Sequence, residues 1–346
     1  MTQHEAWMRK ALAQARRGWG RTSPNPLVGA LVVREAQLVG KGYHERAGEP
    51  HAEVHALRDA GEAARGATLY VTLEPCSTSG RTPPCTEAII NAGIRRVVIG
   101  CRDPNPAHEG RAMQRLRNAG IEVVCNVLKA SCAALNEAFF CWVRHHRPFV
   151  ILKLAMTLDG KIATAAGESK WITGDKARAH VQHWRQWADA ILVGGETMRM
   201  DNPSLTVRTP ADWPCQPRKL VWTRRNAVGN DLKVCSDPQN MPRCIRPESP
   251  QAWRTFMRTL GDEEITALLV EGGGELAAAC LRAQVVDKVM FFVAPKILGG
   301  RNSRPAVGGA NPPSLREAVG LHEMRSRRIG KDLLITGYLS NVHRLD

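Results

Sequence analysis

The sequence predicts two consecutive α/β domains. Short apolar runs alternate with helical patterns in two separate series along 346 residues, a length that suits two domains with a core each. A polar break, residues 144–148 (RHHRP), separates the two series, and its Pro148 disfavours helix at the preceding residue. We therefore predict one domain over residues 1–145 and a second over residues 146–346.

The first domain begins with an amphipathic helix, and Thr2 and Glu5 at its start have the spacing of a capping box. Its apolar face consists of Trp7, Met8, Ala11, Leu12 and Ala15. The patterns that follow predict strand 27–33, helix 52–64, strand 67–73, helix 86–92, strand 97–99, helix 110–118, strand 121–125 and helix 131–143. This order predicts a three-layer α/β domain with a mostly parallel sheet.

The second domain repeats the alternation. Its patterns predict strand 149–156, helix 175–187, strands 190–194 and 219–223, helix 250–260, strand 267–271, a helix entered at residue 275, and strands 288–294 and 333–339. Prolines cluster in segments 208–217 and 236–250, which we therefore predict to be loops.

The composition excludes several classes of protein. No apolar run approaches the roughly 20 residues needed to cross a bilayer, and the N-terminus lacks the core of a signal peptide, so we expect a cytoplasmic protein with no membrane partner. The net charge of +15 suits nucleic acid and phosphorylated small molecules equally. Because the arginines are scattered and only 5% of residues are aromatic, without a stacking platform, we predict a small-molecule substrate and no nucleic-acid partner.

A histidine and two cysteines in the first domain form a candidate zinc site. His51 stands in the motif His-Ala-Glu at the start of a predicted helix, and Cys76 and Cys85 flank a turn-rich segment after a strand. Three such ligands are the number a catalytic zinc uses when its fourth position holds water. Zinc lowers the pKa of bound water to about 7, and Glu53 can serve as the proton shuttle.

This arrangement departs in one respect from the pattern of nucleobase deaminases, which is H-x-E followed by P-C-x-x-C. Here eight residues separate Cys76 from Cys85. A chance histidine beside two structural cysteines is the alternative explanation. The coincidence of H-A-E, E-P-C and a strand–loop–helix context favours the catalytic one.

The segments PNPLVGALVV, GYHERAGEPHAEVHAL, YVTLEPC, GRTPPC and DPNP closely resemble the N-terminal domain of the bifunctional riboflavin-biosynthesis deaminase/reductases, a cytidine-deaminase-like fold. A long loop between the cysteines is typical of that family. The resemblance implies zinc ligands at His51, Cys76 and Cys85, a proton donor at Glu53, and substrate contacts at Asn25 and His44.

The chain departs from the family at Thr78 and Ser79, where a histidine followed by an aromatic residue or a second histidine is usual. The departure removes an imidazole near the substrate ring, so ring positioning or turnover can differ while the metal ligands stay the same.

The segments FVILKLAMTLDGKIAT, GESKWIT, ADAILVGGETMRMDNPSLTVR and LLVEGGGELAAACL resemble the same family's C-terminal domain, whose fold is similar to dihydrofolate reductase and which uses NADPH. The glycine run before the helix at residue 275 suits a pyrophosphate. The resemblance implies cofactor positions at Ala155, Trp171, Thr197, Asp201, Thr223, Gly273 and Gly274. It implies substrate positions at Ser169, Arg185, Leu205, Arg208 and Glu271, with the two arginines suited to a phosphate.

The resemblance, which is weakest over residues 209–250, implies two consecutive steps of riboflavin synthesis. The first is hydrolytic deamination of 2,5-diamino-6-ribosylamino-4(3H)-pyrimidinone 5′-phosphate, and the second is NADPH-dependent reduction of the ribosyl group to ribityl. No residue is an obvious proton donor for the reduction, and Lys153 and Asp159 suit a structural role as well as a chemical one. We also expect a homo-oligomer.

Two alternatives belong to other classes. A nucleic-acid or nucleoside deaminase would share H-A-E and P-C, but it should have the short C-x-x-C and no cofactor-binding half. A zinc-stabilised binding module would need a fourth protein ligand, which His44 or His55 could supply, and it would leave Glu53 without a purpose.

Overall fold

The computed structural model describes residues 2–77, 84–105, 110–225 and 228–340. Thr78 and Ser79, the two departures from the family pattern, lie outside these ranges. The described chain divides into two compact units that meet in sequence between His145 and His146. Each unit has its own hydrophobic core.

The first unit alternates helices and strands. Along the chain its elements are α1 (Gln3–Ala15), β1 (Gly29–Arg34), β2 (Gln37–Tyr43), α2 (Ala52–Ala60), β3 (Thr68–Leu73), α3 (Cys85–Asn91), β4 (Arg96–Cys101), α4 (Arg111–Asn118), β5 (Glu122–Val124), α5 (Lys129–Leu135) and α6 (Glu137–His145). The strands form one sheet in the order β2-β1-β3-β4-β5.

Helix α1 is built as its sequence predicts. The Thr2 hydroxyl accepts a hydrogen bond from the Glu5 backbone, and the Glu5 carboxylate accepts one from the Thr2 backbone, so the capping box satisfies two otherwise unpaired N–H groups. The five predicted apolar residues are those that the helix buries. The helix therefore forms on local signals and is held by packing of this one face.

The sheet of the first unit differs from the prediction of a mostly parallel one. Strand β1 is antiparallel to both β2 and β3, whereas β3–β4 and β4–β5 are parallel. Strand β2 was not predicted because its residues are half exposed and include Gly40 and Gly42, which weaken the strand pattern. It pairs with β1 through a tight turn at Glu35 and Ala36, and a hairpin makes neighbouring strands antiparallel.

The helix predicted over residues 131–143 is two helices, α5 and α6, separated by Asn136. The Asn136 side chain accepts a hydrogen bond from the Leu27 N–H at 2.7 Å and donates one to the Leu27 carbonyl at 2.9 Å. These two bonds pair the buried backbone N–H and carbonyl of Leu27, just before β1. An asparagine side chain that hydrogen-bonds to backbone competes with helix formation, which accounts for the interruption between α5 and α6.

The second unit contains an eight-stranded mixed sheet. Its elements are β6 (Phe149–Thr157), β7 (Lys161–Ala163), α7 (Asp175–Trp187), β8 (Ala190–Gly194), α8 (Gly195–Asp201), β9 (Arg218–Trp222), β10 (Arg243–Ile245), α9 (Pro250–Asp262), β11 (Ala267–Glu271), α10 (Gly274–Arg282), β12 (Lys288–Ala294), β13 (Arg304–Pro305), β14 (His322–Ile329) and β15 (Asp332–Tyr338). The sheet order is β10-β9-β8-β11-β6-β12-β15-β14, and β13 pairs with β7 in a small separate ribbon.

Strands β10, β9, β8, β11, β6 and β12 run parallel to one another. Their carboxyl ends therefore lie along one edge of the sheet, which is where ligands bind in open α/β sheets. The sequence predicted each longer buried strand of this set. It missed β7, β10 and β13, which are only two or three residues long, β14, whose residues are almost all exposed, and the short helix α8.

Across the described ranges, no helix combines the length and the apolar character that a membrane crossing requires.

Candidate active sites of the two units

In the first unit, three predicted metal ligands converge on one point. The Nδ1 atom of His51 lies 3.2 Å from the Cys85 sulfur and 3.5 Å from the Cys76 sulfur. All three candidate ligand atoms lie within 4.8 Å of one another. One imidazole nitrogen and two sulfurs at this separation form a donor set of the kind that zinc prefers.

Each ligand is placed by the end of a regular element. His51 is the N-cap of α2, and Cys85 is the first residue of α3. Cys76 follows β3 by three residues, and its sulfur accepts a hydrogen bond from the Cys85 N–H at 3.2 Å. The pKa of the Cys76 thiol is lowered, first because the Cys85 thiol donates a hydrogen bond to it. The site thus favours a thiolate, the form of cysteine that binds metal.

Glu53 lies in the first turn of α2, two residues after His51, and is 3% exposed. Burial raises the pKa of its carboxyl group above the ordinary value. A carboxyl group in such a position takes up a proton more readily than an exposed one. The structure therefore places a buried carboxyl group in the same helix turn as the metal-ligand candidate His51.

The two predicted substrate contacts of this unit are joined to each other. His44 is buried, and its Nδ1 lies 3.2 Å from the Pro50 carbonyl while its Nε2 lies 3.0 Å from the Asn25 amide nitrogen. Donation from Nδ1–H to the carbonyl and from the amide to Nε2 satisfies both contacts in one neutral tautomer. Burial lowers the pKa of His44, which agrees with a neutral ring.

Neither histidine proposed as a fourth ligand joins the metal cluster. In the described ranges the cluster consists of His51, Cys76 and Cys85 alone. Both ring nitrogens of His44 are engaged elsewhere, and His55 is not part of the group. A three-ligand site leaves a position for water, so the geometry disfavours a purely structural zinc module.

In the second unit, all twelve predicted cofactor and substrate residues line one cavity of about 870 Å³. The cavity opens at the carboxyl ends of β6, β8, β9 and β11. Its volume falls in the upper part of the range usual for ligand sites, about 300–1,000 Å³. Residues scattered between positions 155 and 274 of the sequence are thus brought together by the parallel sheet.

Arg185 is held in a buried ion pair within this cavity. Its guanidinium forms two hydrogen bonds to the Glu271 carboxylate, at 2.7 and 2.9 Å, and a third to the Thr206 carbonyl at 3.0 Å. Both side chains of the pair are 9% exposed. The Nε and Nη2 atoms of Arg185 are therefore engaged by Glu271, and its contact with a substrate phosphate stays a prediction. Arg208 makes no such ion pair within the described residues and lines the same cavity.

Two further polar residues of this cavity, Ser169 and Lys153, have charged neighbours. The Ser169 hydroxyl donates to the Asp201 carboxylate at 2.5 Å. Lys153 lines the cavity on β6, in register with Glu271 on the adjacent strand, and burial lowers its pKa. Asp159, which is not among the residues that line the cavity, accepts hydrogen bonds from Thr157 and from the backbone of Leu298 and Gly299, contacts that stabilise a turn.

The glycine run at the end of β11 adopts the conformation that such a turn needs. Gly272 and Gly273 have φ values of +83° and +89°, which side chains with a Cβ disfavour. Gly273 is the N-cap of α10. The turn presents bare backbone and a helix N-terminus to the cavity, an arrangement suited to a phosphate group.

Several cations that line this cavity were not predicted from the sequence, among them Arg224, Arg225 and Lys233. The two arginines appeared as one of several scattered basic pairs. Their position just after a buried strand could have identified them, because ligands bind at the carboxyl ends of the strands in an open parallel sheet.

Taken together, the fold and sites define an enzyme of two parts, a zinc-type deaminase joined to a nucleotide-dependent reductase. Residues 1–101 match the family model described as the cytidine and deoxycytidylate deaminase zinc-binding region, and residues 148–335 match the RibD C-terminal domain. The chain is 41% identical to the riboflavin biosynthesis protein RibD of Synechocystis sp., with 98% of this chain and 97% of the relative covered.

Solved structures agree over nearly the whole chain. A RibD structure from Acinetobacter baumannii superimposes with a TM-score of 0.89 at 37% identity, covering 97% of this chain and 98% of that one. The diaminohydroxyphosphoribosylaminopyrimidine deaminase/5-amino-6-(5-phosphoribosylamino)uracil reductase of Thermotoga maritima does so with a TM-score of 0.87 at 36% identity and the same coverage. The chain belongs to the RibD family of bifunctional riboflavin-biosynthesis deaminase/reductases, whose two cofactors are zinc and NADPH.

Proposed function

We propose that residues 1–145 hydrolyse the 2-amino group of 2,5-diamino-6-ribosylamino-4(3H)-pyrimidinone 5′-phosphate and release ammonia. The observation that carries this proposal is the convergence of His51, Cys76 and Cys85 beside the buried carboxyl group of Glu53. The three residues hold zinc, which when bound makes a water molecule acidic enough to attack at neutral pH.

Glu53 moves the protons of this reaction. It accepts one proton from the attacking water and passes it to a pyrimidine ring nitrogen, and it then moves the second proton of that water to the departing amino group, which leaves as ammonia. Burial raises the pKa of its carboxyl group above the ordinary value, which makes proton uptake by Glu53 easier than for an exposed carboxylate. Asn25 and His44, which fix each other by a hydrogen bond, position the substrate next to the metal.

We further propose that residues 146–346 reduce the ribosyl group of the deaminated product to ribityl. NADPH supplies the hydride, and the protein supplies binding and orientation. The Gly272–Gly274 turn takes the pyrophosphate of the cofactor, and Arg208 takes the phosphate of the substrate. The Arg185–Glu271 pair holds the Glu271 carboxylate in a fixed place on the cavity wall.

The two half-reactions test this function directly. The zinc-loaded chain is given the diamino substrate, and ammonia release and NADPH oxidation are followed separately. Ammonia should appear without NADPH, and NADPH should be consumed only after the deaminated intermediate has formed. Ammonia release that persists after zinc is removed, or oxidation of NADPH by the diamino substrate itself, would contradict the assignment.

We propose a cytoplasmic location and a homo-oligomer. The ten cysteines are all free, which suits a reducing compartment. Strand β14 lies at the edge of the eight-stranded sheet with nearly all its residues exposed, and its Met324 is 60% exposed. An open edge strand is a template for pairing with another chain, and we assign it to a second copy of this protein.

A charge on β14 tests the oligomer. Met324→Lys should shift the protein toward a smaller species in sedimentation velocity, because a lysine resists edge-to-edge pairing. Leu38→Lys is the matched control, since Leu38 is a 45% exposed apolar residue of β2 in the other unit. A wild-type chain that sediments as a monomer at micromolar concentration, or an oligomer unaffected by Met324→Lys, would contradict this assignment.

A further inference from the structure

Among the cations that line the large cavity of the second unit, two sets lie apart from each other. Arg208 lies close enough to Arg185 and Glu271 for their charges to influence its pKa. Arg224 and Arg225 lie instead beyond the end of β9, and the sheet order places β8 between β9 and the strand that carries Glu271. The cavity therefore offers positive charge at two separate places.

The second group is joined to the glycine turn by a short series of contacts. A side chain at Gly273 would reach the Thr197 hydroxyl of α8 at 3.3 Å, and one at Gly195 would meet the Thr223 side chain at 2.9 Å. The Thr223 hydroxyl in turn accepts a hydrogen bond from the Arg225 N–H at 3.2 Å. The turns after β11, β8 and β9 thus pack side by side along the edge of the sheet.

This packing sets the distance between the two phosphate-binding elements. Strands β11 and β9 are two positions apart in the sheet, and two strand spacings amount to about 10 Å. Long arginine side chains at the end of β9 can reach back over part of that distance. A ligand with one phosphate group at the glycine turn and another several ångströms away would be bound at both.

Lys233 joins the same group through the chain that follows. Its backbone N–H donates to the Asn202 side chain at 2.8 Å, and Asn202 is the C-cap of α8. Lys233 lines the cavity together with Arg224 and Arg225. In the described ranges none of these three cations has a carboxylate within ion-pair distance, in contrast to Arg304, which pairs with Glu196 at 2.6 Å.

We propose that Arg224, Arg225 and Lys233 bind the 2′-phosphate of the cofactor and thereby select NADPH over NADH. The inference rests on the cofactor cavity described under the proposed function. The two cofactors differ by one phosphate monoester, which carries almost two negative charges at neutral pH. Arginine forks match phosphate oxygens in pairs, and an exposed site suits a group that keeps part of its hydration.

The substrate phosphate is a less suitable ligand than the cofactor 2′-phosphate for Arg224, Arg225 and Lys233. Substrate and nicotinamide must meet, whereas the end of β9 lies on the far side of β8 from Glu271. Arg208 already provides a cation near the predicted substrate residues. The cofactor alone brings a second phosphate-bearing centre to the cavity.

Dinucleotide binding tests the proposal without any turnover. The double variant Arg224→Gln/Arg225→Gln and the single variant Lys233→Gln are titrated with NADPH and with NADH, and with adenosine 2′,5′-bisphosphate as a probe of the 2′-phosphate. We expect the double variant to weaken NADPH and the bisphosphate about 10- to 100-fold, since charged hydrogen bonds are lost. The Kd for NADH should change less than about threefold. Lys233→Gln should act in the same direction with a smaller effect.

The matched control is Arg254→Gln/Arg258→Gln, which removes the same charge from exposed positions on α9 outside the cavity and should leave all three affinities unchanged. Equal weakening of NADPH and NADH in Arg224→Gln/Arg225→Gln, or unchanged NADPH affinity, would overturn the proposal. A wild-type chain that binds neither dinucleotide would instead refute the assignment of the cofactor cavity itself.

Discussion

Single side chains carry the chemistry of the first unit, and Glu53 is the clearest case. Replacing it with glutamine preserves size and some hydrogen bonding but removes the ability to exchange a proton. We predict that Glu53→Gln keeps zinc content and thermal stability while deamination falls by about 10²–10⁴-fold or more. Ammonia release and metal analysis on the same sample provide the measurement. Deamination near the wild-type rate would exclude the shuttle role.

The buried Arg185–Glu271 pair is the corresponding residue-scale feature of the second unit. Burial alone would raise the pKa of Glu271, but Arg185 lowers it below the ordinary value, so the carboxylate is charged. Arg185→Met leaves that charge buried without its partner and should lower the free energy of unfolding of this unit by about 3–5 kcal/mol. Urea unfolding measures the change.

The exposed pair Arg246–Glu248, with exposed fractions of 57% and 65%, is the control for this prediction. Arg246→Met should cost no more than about 1 kcal/mol. The double variant Arg185→Met/Glu271→Leu should recover part of the loss, because it removes both charges. Equal costs for Arg185→Met and Arg246→Met would show that the buried pair does not stabilise the unit.

At the scale of elements, the turn between β11 and α10 couples backbone conformation to cofactor binding. Gly273 has a φ of +89°, and a side chain there would also approach Thr197. Gly273→Val should therefore raise the Kd for NADPH and NADH alike, because a β-branched residue is strained in this conformation and covers the backbone N–H groups. Deamination in the other unit should not change.

Equal weakening of NADPH and NADH would distinguish the role of the glycine turn from that of Arg224 and Arg225, whose replacement is expected to weaken mainly NADPH. Gly120, which has a φ of +80° and open space around it, is a control for strain without a ligand. Gly120→Val should leave dinucleotide binding intact. Normal NADPH binding by Gly273→Val would show that the pyrophosphate does not lie on this turn.

At the scale of the whole molecule, the chain behaves in our proposal as two units that fold on separate cores. Cys85→Ala should release zinc and destabilise the first unit, since it removes one of three ligands. NADPH affinity should stay within about twofold of wild type, because domains with their own cores fold largely independently. Zinc analysis and dinucleotide titration on one preparation give both readouts. Loss of cofactor affinity in this variant would show that the units depend on each other.

The polar segment 144–148 was predictable as a break in the sequence pattern, but its tertiary contacts were not. Residues 144–148 were recognised as a break because they are polar and end in proline. The structure shows in addition that Arg147 is anchored to the second unit by two hydrogen bonds to the buried Asp287, at 2.8 and 2.7 Å. No local signal indicates that partner, which lies 140 residues further along the chain.

The sequence by itself determined the two α/β series, the buried strands, the capping box of α1 and the residue types of the zinc cluster. Each of these depends on local periodicity or on a short motif, and both are visible in a linear sequence. Strands β2 and β14 escaped because they are largely exposed and lack a buried apolar pattern. The break at Asn136 escaped because its hydrogen-bond partner, Leu27, is distant in sequence.

Only the tertiary structure decided which partner each polar side chain contacts. It paired Arg185 with Glu271, excluded His44 from the metal cluster, and brought Arg224 and Arg225 to the ligand edge of the sheet. The physical reason is that a charged side chain has many possible partners in the chain. Parallel strand pairing and burial select among them, and both depend on contacts between residues far apart in sequence.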